Sequence, residues 1–170
     1  VQGLVFGAES EAVTAGRIAT VQALGGTGGL KVGADLLQRM NPAATVMISD
    51  PSWENHRALF EGAGFKVEQY PYYDAANRGI DFDSMLASLS AAAPGSIVVL
   101  HACCHNPTGY DITLAQWSQV IAAVKARGLV PFLDMAYQGF GEGIQEDGAV
   151  VGLFMAAGLD FFVATSFSKS

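Results

Sequence analysis

The sequence lacks the cysteines of a disulfide framework and the basic runs of a nucleic-acid-binding protein. Its two cysteines, Cys103 and Cys104, are adjacent and seldom bridge each other without strain, so we expect free thiols and a reducing cytoplasm. The formal net charge of −7 argues against binding to nucleic-acid phosphates. No apolar stretch has the length of a membrane span, and the N-terminus lacks the basic head and cleavage site of a signal peptide. Nucleic-acid and membrane partners are therefore not expected.

Apolar segments typical of strands alternate with amphipathic segments typical of helices along the chain. The content of hydrophobic residues is 51%, which suits strands that are covered on both faces. This alternation predicts an α/β architecture with a mainly parallel sheet. Strands are expected over residues 45–49, 65–70 and 96–104, within 129–137 and over 161–167. Helices are expected after residues 25–29, over 54–61, from Asp81 or Asp83 to Pro94, over 113–127 and over 149–158. Leu30, Ala34 and Leu37 recur at the spacing of one helix face, and Thr113 and Gln116 have the spacing of a capping box.

Lys169 is the most informative single residue. It follows the apolar run of residues 161–167, whereas the other three lysines lie in or beside amphipathic segments. A lysine that is partly desolvated in a crevice at a strand end is an amine nucleophile of the kind that forms Schiff bases. The alternative is a lysine that only marks the protein surface where the strand ends.

Chemically unusual residues follow four of the predicted strands. In an open α/β sheet, ligands bind outside the carboxyl ends of the strands. We therefore expect these side chains at the edge of the sheet where a ligand binds. They are Trp53, His56, Asn106, Asp134, Tyr137, Ser166, Ser168 and Lys169.

Asp134 follows an apolar run, where an unpaired charge is costly to bury. One interpretation is a helix cap or a turn carboxylate. The other is a carboxylate that pairs with a protonated ring nitrogen, because a pyridine nitrogen stays protonated only beside an anion. Trp53 has a similar pair of interpretations, since it either packs against the core or stacks on a planar ring.

The segment GGTGG, residues 25–29, precedes a predicted helix and is typical of a phosphate-binding turn. It has neither the lysine of a P-loop nor the GxGxxG pattern of dinucleotide folds. A different pattern, His101, Cys103, Cys104 and His105, has the wrong spacing for a zinc finger or ribbon. We therefore expect no metal site, and we expect the two cysteines to fill the core.

Six segments together resemble the fold type I pyridoxal-phosphate aminotransferases, in the subgroup that acts on aspartate and aromatic amino acids. They are GGTGG, NPAATVMISDPSWENH, YPYYDA, HACCHNPTG, DMAYQGF and SFSKS. The resemblance implies a three-layer α/β/α fold with a mainly parallel sheet. It also implies that residues 1–170 are the central part of one large cofactor-binding domain, without the N-terminal arm and the C-terminal small domain.

The resemblance implies a role for each matching residue around the cofactor ring. Lys169 would bind pyridoxal 5'-phosphate covalently and then shuttle a proton. Asp134 would pair with the pyridinium nitrogen, and Tyr137 and Asn106 would bind the ring hydroxyl oxygen. Trp53 would stack on the ring. Lys169, Asp134 and Tyr137 are thus the expected catalytic residues.

The resemblance also implies roles at the phosphate and behind the ring. Gly26, Thr27 and Ser166 would hold the phosphate. His56 would support the carboxylate that pairs with the ring nitrogen, and His101 would also lie behind the cofactor contacts.

The activity implied is a transamination between an acidic or aromatic L-amino acid and a 2-oxo acid, in a cytoplasmic homodimer. Another pyridoxal-phosphate reaction, such as a lyase or decarboxylase reaction, stays open as an alternative. So does a non-catalytic phosphate-binding α/β module that uses the GGTGG segment. In the family, arginines that bind the phosphate and the substrate carboxylate lie outside the matched segments, so these 170 residues alone are expected to be inactive.

Overall fold

A five-stranded parallel sheet is the centre of the computed structural model, which describes residues 1–169. The strands are β1 (Thr45–Asp50), β2 (Lys66–Pro71), β3 (Tyr73–Asp74), β4 (Gly79–Ile80), β5 (Ile97–His101), β6 (Val130–Met135) and β7 (Phe162–Thr165). The large sheet has the order β2-β1-β5-β6-β7, and each neighbouring pair is parallel. The short strands β3 and β4 form a separate antiparallel pair. The predicted α/β architecture with a mainly parallel sheet is confirmed.

Helices cover both faces of the sheet, which gives three layers. The helices are α1 (Gln2–Phe6), α2 (Glu11–Thr14), α3 (Gly25–Met40), α4 (Glu54–Glu61), α5 (Phe82–Ala91), α6 (Leu114–Arg127) and α7 (Ile144–Ala156). Within residues 1–169, none of these helices combines the length and the apolar character that crossing a membrane requires.

The two faces of the sheet carry two hydrophobic clusters because side chains alternate along each strand. In β5, Ile97 and Val99 pack in the cluster that contains α3 and α4, whereas Val98 and Leu100 pack in the cluster that contains α5, α6 and α7. Because β5 is buried on both faces, its sequence is a continuous apolar run.

Helix α3 lies close against the sheet at a glycine. A Cβ atom on Gly33 would lie 2.5 Å from Cζ of Phe132 in β6, so only glycine fits this contact. The predicted inward positions of the helix, Leu30, Ala34 and Leu37, are all buried. This packing sets the N-terminus of α3 beside the carboxyl edge of the sheet, where Gly29 approaches Ala164 of β7.

Several sequence-based boundaries need correction. The GGTGG segment does not precede α3 but forms its first turn. Helix α7, expected over residues 149–158, begins at Ile144, and the strand expected over 161–167 is confined to Phe162–Thr165. Asp134, expected to close its strand, is the next-to-last residue of β6. The strand predicted over residues 96–104 ends at His101, because the N–H groups of Cys104 and His105 donate to the carboxylate of Asp111 instead of a neighbouring strand.

Two predicted helix boundaries are confirmed by their capping contacts. The side chain of Asp81 accepts a hydrogen bond from the N–H of Ser84 and caps α5. Thr113 and Gln116 form the predicted capping box at the start of α6.

Candidate active site

The carboxyl ends of four strands and the N-terminus of α3 surround a cavity of about 170 Å³. Parallel strands bring their carboxyl ends to one edge, so the segments after β1, β5, β6 and β7 meet there. The residues that line the cavity are Gly25, Gly26, Thr27, Leu30, Trp53, His101, Cys103, Asn106, Asp134, Ala136, Tyr137, Ser166, Ser168 and Lys169.

The structure brings the predicted site residues together in this cavity. All eight predicted cofactor contacts line it, and so does His101. His56 does not line the cavity but is bonded to Asp134, which does. The eight contacts are Gly26, Thr27, Trp53, Asn106, Asp134, Tyr137, Ser166 and Lys169.

A buried chain of hydrogen bonds holds Asp134. Nε2 of His56 lies 2.8 Å from Oδ2 of Asp134, and Nδ1 of His56 lies 2.9 Å from Oγ of Ser52. His56 is fully buried and Asp134 is 6% exposed. Because Asp134 lies inside a strand, it is neither a helix cap nor a turn carboxylate. The arrangement offers an oriented carboxylate to a cationic group in the cavity.

The first turn of α3 forms a cup for an anion in the wall of the cavity. The residue at its N-cap position, Leu24, is 93% exposed, and no side chain among residues 1–169 caps the helix. The free N–H groups and the helix dipole favour an anionic ligand. Ser166 closes the cup, since a Cβ on Gly26 would lie 3.4 Å from the Cβ of Ser166. Oγ of Ser166 also accepts from the N–H of Ser168, which keeps both hydroxyls at the cavity.

Aromatic side chains and an amine line the same cavity as the carboxylate and the cup. Trp53 occupies the N-cap position of α4 and packs edge-on against His56, with ring centroids 5.4 Å apart. Nζ of Lys169 lies 4.3 Å from the ring centroid of Tyr137. The amine therefore reaches the cavity over an aromatic face.

The expected desolvation of Lys169 is not found. The residue is exposed, because it lies in the turn after β7 on the open side of the cavity. It is nevertheless a lining residue rather than a lysine directed only at bulk water. Its contact with Tyr137, not burial, is what fixes the amine in this structure.

Two further histidines lie beside His56 with tilted rings. His101, which was expected behind the cofactor contacts, lines the cavity itself, whereas His105 does not. The His101 ring centroid lies 4.9 Å from that of His56 and 4.2 Å from that of His105. Both ring nitrogens of His101 are buried without a hydrogen-bond partner among residues 1–169. Burial, reinforced by His105 and His56, holds the pKa of His101 well below its ordinary value. His101 is therefore a neutral ring at physiological pH and adds no positive charge beside Asp134.

Two groups of side chains have the proximity of possible metal ligands: His56 with His101 and Asp134, and Cys103 with Cys104 and Asp147. In the first group, His56 and Asp134 are bonded to each other. In the second, the Asp147 carboxylate accepts three backbone N–H groups of residues 139–142. Both carboxylates thus have protein partners, and the expectation of no metal stays a prediction.

Sequence reasoning missed several lining residues. Cys103 was expected to fill the core, and it is buried there, but it also lines the cavity. Its position just beyond β5, before Asn106, was the available signal. Ala136 was equally accessible, since it directly precedes the predicted site residue Tyr137. Leu30 was predicted only as a residue of the helix. Gly25 and Ser168, in contrast, lay in the predicted phosphate-binding turn and among the residues predicted at this edge of the sheet.

Comparison with protein families gives a match over residues 4–170 to the model described as aminotransferase class I and II. The chain is 64% identical over 170 residues to an aspartate aminotransferase of Pseudomonas aeruginosa, covering 100% of this chain and 43% of that protein. It is 54% identical over 166 residues to an aromatic-amino-acid aminotransferase of Escherichia coli, covering 98% of this chain and 42% of that protein.

Comparison with solved structures gives the same result. An aromatic-amino-acid aminotransferase from Burkholderia pseudomallei, covalently bound to pyridoxal phosphate, superposes with a TM-score of 0.98 and 64% identity. The match covers 99% of this chain and 42% of that chain. The chain thus spans less than half the length of the relatives it matches.

Proposed function

This chain belongs to the family of class I and II aminotransferases, and on that premise we propose that the whole protein is a pyridoxal-phosphate-dependent aminotransferase. It moves the amino group of an acidic or aromatic L-amino acid to a 2-oxo acid. One observation carries the proposal: a single cavity holds an amine, an oriented carboxylate and an uncapped helix N-terminus.

The residues present fit pyridoxal phosphate. The cup at the start of α3 suits the phosphate, with Gly26, Thr27 and Ser166 as its contacts. Asp134, fixed by His56, suits the protonated ring nitrogen. The cavity therefore offers both a carboxylate for a cationic ring and an uncapped helix N-terminus for a phosphate.

When bound, pyridoxal phosphate supplies a carbonyl carbon that takes the amino group and a conjugated ring that accepts electrons as the substrate C–H bond breaks. Lys169 would hold the cofactor through Nζ and would carry the proton between substrate and cofactor. Tyr137 and Asn106 would bind the ring hydroxyl oxygen, and Trp53 would cover one ring face. Asp134 would keep the ring nitrogen protonated, and the neutral ring of His101 would add no positive charge beside it.

The test is made on the whole protein with added pyridoxal phosphate. We expect near-visible absorbance from cofactor binding and turnover of aspartate, tyrosine or phenylalanine with 2-oxoglutarate. Release of ammonia or carbon dioxide without a new amino acid would favour the lyase or decarboxylase alternative. Absence of cofactor absorbance in the folded protein would favour the non-catalytic phosphate-binding module.

We propose that the intact protein is a cytoplasmic homodimer. The free thiols of Cys103 and Cys104 support a reducing compartment. Large apolar side chains near the N-terminus are exposed, such as Val21 at 71% and Leu24 at 93%, and such a surface supports an interface with a second subunit. Light scattering on the whole protein tests the assembly, and a monomeric mass at working concentration would contradict it.

Trp53 is expected to be a cofactor contact rather than a core residue. Trp53→Ala should weaken cofactor binding roughly tenfold through loss of the stacking face, and should leave the melting temperature of the cofactor-free protein nearly unchanged. Cofactor titration and thermal unfolding measure the two effects.

Trp117 provides the matched control. It is 5% exposed and packs against Phe154 on the other face of the sheet, away from the cavity. Trp117→Ala should cost about 3–5 kcal/mol of stability. A large fall in the melting temperature of cofactor-free Trp53→Ala, similar to that of Trp117→Ala, would show that Trp53 is a packing residue.

A further inference from the structure

The loop after β5 is held by a buried ring that does not itself line the cavity. His105 is 2% exposed. Its Nε2 lies 2.9 Å from Oγ of Ser49 in β1, and its Nδ1 lies 2.8 Å from Oγ1 of Thr108. The ring stacks on Tyr72 with centroids 3.9 Å apart and planes 12° apart. Both ring nitrogens of His105 thus have a hydrogen-bond partner, and one ring face is covered by Tyr72.

The backbone of the same loop is held by a carboxylate. Asp111 accepts the N–H of Cys104 at 2.6 Å and the N–H of His105 at 2.8 Å. Cys104 has a φ of +50°, in the left-handed region that non-glycine residues seldom adopt. The two hydrogen bonds stabilise this unfavourable conformation, which turns the chain away from β5 and toward the cavity.

The protonation state of His105 suits its two partners. Burial, reinforced by the charge of His56, lowers the pKa of His105 to about 4. The ring is therefore neutral at physiological pH, with one nitrogen donating and the other accepting. Ser49 and Thr108 each carry a hydroxyl, which serves either role, so both contacts are satisfied in either tautomer.

We propose that His105 and Asp111 are positioning residues that fix the amide of Asn106 in the cavity, which deepens the proposed function and rests on it. Asn106 directly follows His105 and lines the cavity. The ring anchors the loop to β1 on one side of Asn106, and Asp111 closes the loop on the other side. An amide whose backbone is fixed in this way binds the cofactor oxygen without first losing conformational freedom.

The proposal is tested by a double-mutant cycle in the whole protein. The variants are His105→Leu, Asn106→Ala and the combination, each measured for pyridoxal-phosphate affinity and for the pH midpoint of the near-visible absorbance. We expect each single variant to weaken affinity roughly tenfold, the size of one hydrogen bond to a polar cofactor group, and to shift the midpoint in the same direction. The double variant should be no worse than Asn106→Ala, because His105 acts through Asn106.

Two further variants separate positioning from general stability. His105→Gln keeps an amide that reaches toward Ser49 and should restore part of the affinity. Leu89→Ala removes a fully buried side chain of α5 and should lower the melting temperature without moving the absorbance midpoint. If His105→Leu does not fold, Asp111→Asn takes its place in the cycle.

Additive losses in the double variant would overturn the inference, and so would an unchanged absorbance midpoint in both His105→Leu and Asp111→Asn. Failure of the proposed function would give a different result. If the protein is not a pyridoxal-phosphate enzyme, the unsubstituted protein itself would show no near-visible absorbance with pyridoxal phosphate.

Discussion

Lys169→Ala is expected to abolish covalent cofactor attachment and to lower transaminase turnover of the whole protein by at least roughly 10²–10⁴-fold. The amine of Lys169 reaches the cavity over the ring of Tyr137. Its removal takes away both the attachment point and the group that carries the proton. Borohydride reduction of the cofactor complex, followed by peptide mapping, should find the label on Lys169 in the unsubstituted protein.

Lys31 offers a matched control. It is half-buried on α3, the helix whose first turn forms the anion cup, and it pairs with Asp35 rather than lining the cavity. Lys31→Ala should keep the label, the absorbance and the turnover. Label on Lys31, Lys66 or Lys125 in the unsubstituted protein would exclude the assignment of Lys169.

The architecture could be predicted because it follows from the periodicity of the hydrophobic residues along the sequence. Strands buried on both faces read as apolar runs, and α4 was predicted with the bounds Glu54–Glu61 that the structure has. The capping box of α6 is a local contact between residues three apart, so the sequence contains all of it. The rule that ligands bind at the carboxyl edge of a parallel sheet then placed the predicted site residues in one region.

The start of α3 could not be predicted from local preference. Glycine lowers helix stability by about 1 kcal/mol relative to alanine, so four glycines in the first turns argue against a helix. Tertiary contacts decide otherwise, since Gly33 packs on Phe132 and Gly26 approaches Ser166. These neighbours lie 99 and 140 residues further along the chain, beyond the reach of any local pattern.

The contacts among the histidine rings could not be predicted from the sequence either. The row of neighbouring rings runs from Tyr72 through His105 and His101 to His56. These residues come from three segments that meet only when the sheet forms. The sequence indicated that Asp134 needs a partner. The hydrogen bond between Ser52 and His56 joins residues only four apart, but the bond between His56 and Asp134 depends on the placement of β1 and β6 on either side of β5.

Asp134→Asn in the whole protein is expected to retain the fold and lose roughly 10²–10³-fold in turnover, the rate equivalent of about 3–4 kcal/mol. A carboxamide has nearly the same shape but no negative charge, so the ring nitrogen loses the anion that keeps it protonated. The hydrogen bond from His56 also loses its charged acceptor. Turnover, thermal unfolding and the pH dependence of the cofactor absorbance measure the rate, the fold and the ring protonation separately.

The matched control for this substitution is Asp50→Asn. Asp50 ends β1 at the same edge of the sheet, but it is exposed and bonds Gln69 instead of lining the cavity. Its substitution should leave all three measurements close to those of the unsubstituted protein. If correctly folded Asp134→Asn also turned over at nearly the unsubstituted rate, the carboxylate would be a structural partner of His56 and not the group that holds the cofactor ring protonated. Asp134 lines the cavity at this edge of the sheet and Asp50 does not. We therefore expect a lowered rate and a shifted pH profile of the absorbance in Asp134→Asn alone.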